Sequence, residues 1–232
     1  MEPPLSAPPV APVFKPPSKT SRSLVVVLAV VGAFLVASPY LLRAFVIEAF
    51  RLPSGSMAPT LLVGDQVFIS KWKSPVRRGD VIVFKYPLDP TLDYVKRVVA
   101  IGGDTIQFDG DQLTVNGVPA LRERSTAGCP HEPTLDPAVD LAEAGACELW
   151  RETLDGRSYE VIEVPGRPAP VGQAFTVSPG TVFVVGDNRD NSSDSRVWGP
   201  VPLDHVKGHV LFIWMSTAES GVRWDRVGKS VQ

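Results

Sequence analysis

Ser56 lies in the segment Pro53-Ser54-Gly55-Ser56-Met57-Ala58-Pro59-Thr60-Leu61, and Lys96 in Tyr94-Val95-Lys96-Arg97. A serine hydroxyl is a poor nucleophile until a neighbouring base takes its proton. The three histidines, His131, His205 and His209, all fall outside these segments. A lysine can do the same work if burial keeps it neutral. At its ordinary pKa only about 0.04% of the amine is free at pH 7, and burial can lower that pKa by about 3–5 pH units. Together the two segments spell a serine–lysine hydrolase.

Each residue also has an ordinary reading. Pro-Ser-Gly-Ser is a common surface turn, and a lysine on a strand is usually solvated. The flanking residues shift the balance. Pro53 and Pro59 stiffen the turn, and Gly55 lets the backbone pass close to whatever Ser56 attacks. Strand alternation puts Tyr94, Lys96 and Val98 on one face and Val95, Arg97 and Val99 on the other, so the Arg97 charge points away from Lys96. A third segment, Gly186-Asp187-Asn188-Arg189-Asp190-Asn191-Ser192-Ser193-Asp194-Ser195-Arg196, is dense in short hydrogen-bonding side chains. It can orient a lysine against a hydroxyl, with Asp187 and Asp194 as acids and Arg97 and Arg196 as their partners. Its oxygens lack the glycine and glutamate spacing of a calcium loop, so no metal is expected.

These three segments need elements to hold them. Residues 2–18 are rich in Pro and Ala and read as an extended tail. Leu24 to Leu42 carries no charge, which is long enough to cross a bilayer as a helix. A cleaved secretory signal has the same start, but the apolar run is long for one and no small-x-small site closes it. Lys15, Lys19 and Arg22 before the run outweigh Arg43 and Arg51 after it, which points the N-terminus inward.

From Gln66 onward short β-type runs alternate with turn signals. The runs are Val67–Ile69, Val81–Phe84, Val95–Ile101, Thr105–Phe108, Leu113–Val115, Phe175–Val177, Val182–Val185 and His209–Trp214; Asn116-Gly117 is a strong hairpin signal. With 23 prolines and 19 glycines in 232 residues, a turn-rich β fold is expected over a helical bundle. Residues 119–150 break the rhythm and hold both cysteines, Cys129 and Cys147. These pair if the segment faces an oxidising compartment and otherwise stay as two thiols. The net charge of −2 gives no electrostatic reason to expect a nucleic-acid partner.

The expected architecture is therefore mainly β. A disordered tail over 1–22 precedes a transmembrane anchor over 23–43. An antiparallel catalytic core spans 44–103 and 181–232, with a smaller β subdomain inserted at 104–180.

On Ser54–Leu61, Gly64–Lys71, Arg78–Phe84, Asp93–Val99 and Gly186–Arg196, the chain resembles the bacterial type I signal peptidases, or leader peptidases. The resemblance is weakest over 118–175. It implies Ser56 as nucleophile and Lys96 as general base, with Ser192 orienting the lysine. It also implies a Ser54 hydroxyl that joins the Ser56 N–H in an oxyanion hole. Arg97 with Asp187, and Asp194 with Arg196, match bracing pairs. Phe50, Leu52, Met57, Tyr94 and Val95 match the walls of shallow pockets for small residues one and three positions before the cut. It further implies an enzyme of the bacterial inner membrane without metal or organic cofactor; a monomer is expected, and the single span read above is a departure from the family pattern. Its N-terminus would be cytoplasmic and its catalytic domain periplasmic, acting on preprotein signal peptides at the lipid surface. Some relatives have two spans. Trp198, Trp214 and Trp224 are candidates for a lipid-facing surface or for ordinary packing. The rival readings are a self-cleaving repressor or conjugative peptidase with the same dyad, and a membrane-tethered β module whose serine and lysine are inert.

Overall fold

A computed structural model describes residues 19–45, 47–72, 74–129, 147–166 and 174–231. The tail over 1–18 and His131 lie outside them. The chain divides into two units, Met1–Arg43 and Ala44–Gln232. In the first, helix α1 begins, running Lys19–Phe45 over 27 residues. Its side chains are described from Ser23 to Ser38, and those up to Ala37 are exposed. Among the described residues no helix is long and apolar enough to cross a membrane.

The second unit is built almost wholly of strands. In chain order they are β1 (Ile47–Arg51), β2 (Asp65–Ser70), β3 (Val81–Tyr86), β4 (Asp89–Ile101), β5 (Thr105–Asp109), β6 (Gln112–Val115), β7 (Val118–Pro119) and β8 (Leu121–Arg124). Then follow β9 (Glu148–Leu154), β10 (Arg157–Glu163), β11 (Phe175–Thr176), β12 (Thr181–Val185), the short helix α2 (Ser195–Trp198), β13 (Val201–Pro202), β14 (Val206–Ala218) and β15 (Gly221–Val222). The main sheet has the order β1-β2-β14-β3-β4-β12-β13, with β15 added to β14. Two smaller sheets, β10-β9-β8 and β11-β5-β6-β7, come from the chain between β4 and β12. The pairings between these strands are antiparallel.

The apolar run Val81-Ile82-Val83-Phe84 is buried on both faces, which is what a strand between β14 and β4 requires. β2 alternates instead, with Asp65, Val67 and Ile69 turned inward. A continuous core joins Val99, Ala100, Phe183 and Val185 of the main sheet to Ile106, Leu113, Tyr159 and Val161 of the smaller ones. β4 starts six residues before the expected Val95, because Tyr86 pairs with Asp89 across a tight hairpin. That hairpin draws Asp89 and Pro90 into the ladder although both are poor strand formers.

Past β15 the chain folds back onto the turn that carries Ser56. Buried Asp65 accepts from Arg226 Nη2 at 2.6 Å, from Ser216 Oγ at 2.5 Å and from Leu62 N at 2.8 Å. Arg226 Nη2 also reaches the Thr60 carbonyl at 2.9 Å.

Candidate active site

The turn between β1 and β2 delivers Ser56 to the inward face of β4, where Lys96 Nζ hydrogen-bonds Ser56 Oγ at 2.6 Å. Lys96 pairs with Ile82 in the middle of the main sheet and is only 4% exposed. Burial strips water from its ammonium and lowers its pKa from 10.5 to about 8. Asp194 and Asp187 oppose that fall through their charge, and Arg196 adds to it. Tyr94, two residues back, lies alongside, with Lys96 Nζ 5.5 Å from its ring centroid.

Arg97 faces the other way. Its guanidinium grips Asp187 with two bonds of 2.8 Å, donates to the Gly79 carbonyl at 2.8 Å and stacks 3.9 Å from the Tyr159 ring centroid. Thr60 Oγ1 adds a 2.5 Å bond to Asp187, tying the serine's own turn to the same carboxylate. A fully buried charge needs this saturation, since removing one partner strands the other in a low dielectric.

The loop 186–196 closes over the turn. Asn188 N donates to the Ser56 carbonyl at 3.1 Å, and Asn188 Nδ2 to the Gly55 carbonyl at 3.2 Å. Asp194 caps α2 and accepts from Arg196 Nε and Nη2 at 2.8 Å each and from Gly186 N at 3.0 Å. Burial works against its charge, but Arg196, the Gly186 N–H and Ser192 hold the carboxyl below its usual range. Ser192 Oγ is buried in the same pocket without a hydrogen bond of ordinary geometry. It stands beside Asp194, and no bond joins it to Lys96. At Gly186 any Cβ would run into Ser192 and the Ser56 carbonyl, so only glycine fits there.

Ser54 Oγ lies 3.4 Å from Ser56 Oγ at the mouth of a cleft of about 770 Å³. Phe50, Leu52, Met57, Tyr94 and Val95 all line this cleft. Leu52 and Met57 are buried, and the other three pack at the edges of the core.

One layer deeper lie charges that the sequence does not advertise. Glu152 on β9 is fully buried and accepts from Arg189 Nη2 at 2.7 Å and from the Tyr159 hydroxyl at 2.6 Å. Burial raises its carboxyl, and Arg189 and Tyr159 more than reverse that. Arg189 N bonds the Ile162 carbonyl at 2.9 Å, and Ile162 N the Asp187 carbonyl at 2.8 Å, so β10 holds the loop by its backbone. Cys129 and Cys147 form a disulfide that packs with Ala58, Leu62, Leu149 and Ile162 behind the serine turn.

The remaining candidates lie elsewhere. His205 contacts the Lys85 carbonyl, and His209 sits between the Ser74 carbonyl and Asp80. Among the described residues no group of three or more His, Cys, Asp or Glu could hold a metal. Trp198 packs on Phe84 and Trp214 on Phe68, whereas Trp224 is 73% exposed.

A family model described as signal peptidase, peptidase S26, matches residues 22–215. The chain belongs to that family. A signal peptidase I from Pseudomonas fluorescens is 36% identical, over 77% of this chain and 68% of its own. One from Aquifex aeolicus is 35% identical, over 81% of this chain and 83% of its own. The crystal structure of a signal peptidase I from Enterococcus faecalis covers 59% of this chain and 97% of its own at 25% identity, with a TM-score of 0.34. The S26 match takes in Ser56, Lys96 and the whole of 186–196, and it ends before Arg226.

Proposed function

We propose that this protein is a membrane-bound serine endopeptidase that removes N-terminal signal peptides from exported preproteins. In this reading Ser56 is the nucleophile and Lys96 the general base. The observation that carries it is the 2.6 Å contact between a hydroxyl lining a cleft walled in part by Phe50, Leu52, Met57, Tyr94 and Val95 and an almost fully buried amine. Membership of the S26 family supports the same chemistry.

The neutral amine takes the Ser56 proton as Oγ attacks the scissile carbonyl. The ammonium so formed donates that proton to the departing peptide nitrogen, leaving an acyl-serine and a neutral lysine. Lys96 then deprotonates a water that attacks the ester, and the proton returns to Ser56 Oγ as the acid leaves. Ser54 Oγ and the Ser56 N–H are the oxyanion donors, a role that typically contributes about 2.7–4 kcal/mol for each donor. Asp194 and Arg196 present a near-neutral pair to Lys96. That keeps the field of the aspartate from fixing a permanent ammonium.

Ser192 acts by filling space against Gly186 and by its dipole near Asp194. The cleft walls select small side chains near the cut. The segment 104–180 is read as an inserted β subdomain that braces the catalytic loop. The charge-free run over 24–42 is read as the anchor, with the N-terminus cytoplasmic and the catalytic unit on the periplasmic face of the inner membrane. Preprotein and lipid are the partners of a monomer that needs no cofactor.

The test is incubation of detergent-solubilised protein with a preprotein, followed by sequencing of the new N-terminus. Wild type should expose one N-terminus after a small-x-small motif. Ser56→Ala and Lys96→Ala should leave the preprotein intact while keeping wild-type circular dichroism. Lys96→Arg should be equally inactive, because a guanidinium does not become neutral in a protein. Turnover by Lys96→Arg near the wild-type rate would refute the base role.

A further inference from the structure

β14 departs from regular pairing between Val206 and Gly208, where its register against β3 slips. Val206 pairs with Phe84 and Gly208 with Val83, so Lys207 is left without a register partner. An extra residue of this kind re-aims its side chain out of the ladder, and such bulges recur beside active sites. Here the side chain points between two strands that are far apart in the sheet order, β1 and β4. Lys207 Nζ bonds Asp93 Oδ2 of β4 at 2.7 Å and lies 3.8 Å from Glu48 Oε1 of β1. It also sits 4.6 Å from the ring centroid of Phe50, again on β1.

Phe50 of β1 and Asp93 of β4 both line the cleft. Two walls on different strands are therefore linked through one ammonium that arrives from a third strand. Each link alone is weak. The ion pairs are about a third exposed, and contacts of that kind add little to stability. Their convergence fixes geometry instead. The carboxylates of Glu48 and Asp93 hold the ammonium in place. The ammonium, in turn, faces the Phe50 ring, whose quadrupole attracts a cation. Glu48 has a second tether in Lys71, 3.2 Å away, just past the end of β2.

We propose that Lys207 is a specificity-determining positioning residue. It straps the Phe50 wall to the Asp93 wall and so sets the width of the cleft, keeping side chains larger than alanine out of the subsite that Phe50 borders. This rests on the peptidase reading above and names what limits substrate size in that same cleft.

The experiment compares two peptides that share a cleavage site and differ only in alanine or leucine three residues before the cut. kcat and KM are measured separately for wild type, Lys207→Met and Lys207→Arg in the full chain. Lys207→Met keeps length and loses the charge. It should shift the alanine-to-leucine ratio of kcat/KM towards leucine by about two- to five-fold, the size of an exposed cation–π contact, and the shift should fall mainly in KM. Lys207→Arg, which keeps charge and reach, should retain the wild-type ratio. A wild type that discriminates while Lys207→Met discriminates equally overturns the strap and leaves the peptidase reading standing. Equal loss on both peptides marks Lys207 as merely structural and overturns it too. A wild type that cleaves neither peptide overturns the peptidase reading and the strap with it.

Discussion

Lys96 is a base because of where it is. An amine on an exposed strand would be protonated through the whole working range. With a pKa of about 8, roughly a tenth of it is free at pH 7 and half at pH 8. A pH–rate profile for preprotein cleavage should therefore climb through about pH 8 and level off above it. A maximum on the acidic side would contradict a lysine base.

The same burial has a cost in stability. The lysine titrates near 10.5 when unfolded and near 8 when folded, so between those values the unfolded chain binds more protons and stability rises with pH. Below pH 8 the penalty is fully present, on the order of 3 kcal/mol for a depression of this size. Lys96→Met should thus unfold at higher denaturant than wild type at pH 7, and the gap should close as pH rises towards 10.5. A gap that does not change with pH would mean that the amine is not the source. Ser56, Lys96, Arg97, Asp187, Asp194 and Arg196 were legible because they stand in dense motifs. Glu152, Tyr159 and Thr60 were not. A buried glutamate on a strand has the same one-letter context as a solvated one, and only its partners reveal it.

At the scale of elements, the loop after β12 decides whether the serine turn is held. Its grip runs through backbone contacts, from Asn188 N to the Ser56 carbonyl and from Arg189 N to the Ile162 carbonyl. Gly186→Ala places a methyl where Ser192 and the Ser56 carbonyl already stand, and one of them must move. A displacement of about 1 Å in a reacting group can cost on the order of a hundred-fold in rate. The expected outcome is a loss of that order in kcat with far-UV circular dichroism unchanged, and a variant within two-fold of wild type (roughly 0.4 kcal/mol) would show that the loop adapts.

Most of the strands were readable from alternation and turn residues. Asn116 and Gly117 both have positive φ, as a two-residue hairpin loop demands. β9 and β10 are masked in the sequence although Asp155-Gly156 between them carries the same signal, with φ of 50 and 76. The charges of Arg151, Glu152, Arg157 and Glu160 hide the alternation there: Arg151 is exposed like an ordinary surface charge, and Glu152 is buried where an apolar residue would be expected. β1 was hidden differently. Its apolar residues continue those of α1 without a break, and only its pairing with β2 separates it.

At the scale of the molecule, the site is assembled from segments that meet only in the complete fold. The disulfide closes a stretch of 18 residues and packs behind the serine turn. Loops of that length give about 3 kcal/mol by restricting the unfolded chain. Replacing Cys129 and Cys147 by serine should lower unfolding stability by about 2–4 kcal/mol, read from denaturant midpoints, and a change below about 0.5 kcal/mol would show that local packing suffices without the bond. A similar dependence applies at the other end of the unit. The turn that carries Ser56 ends at Asp65, and Asp65 is neutralised by Arg226, far later in the chain. The ribosome makes the turn first and its counter-charge 161 residues after Asp65. Until Arg223 and Arg226 have emerged, Asp65 has no guanidinium to meet, and the Thr60 carbonyl lacks its donor. The serine turn therefore lacks its last brace until residues 223–226 have been made, and Ser56 is expected to stay unreactive until then. A chain stopped after Val222 should fail to react at Ser56 with a serine-directed acylating probe, and supplying residues 223–231 as a peptide should restore labelling.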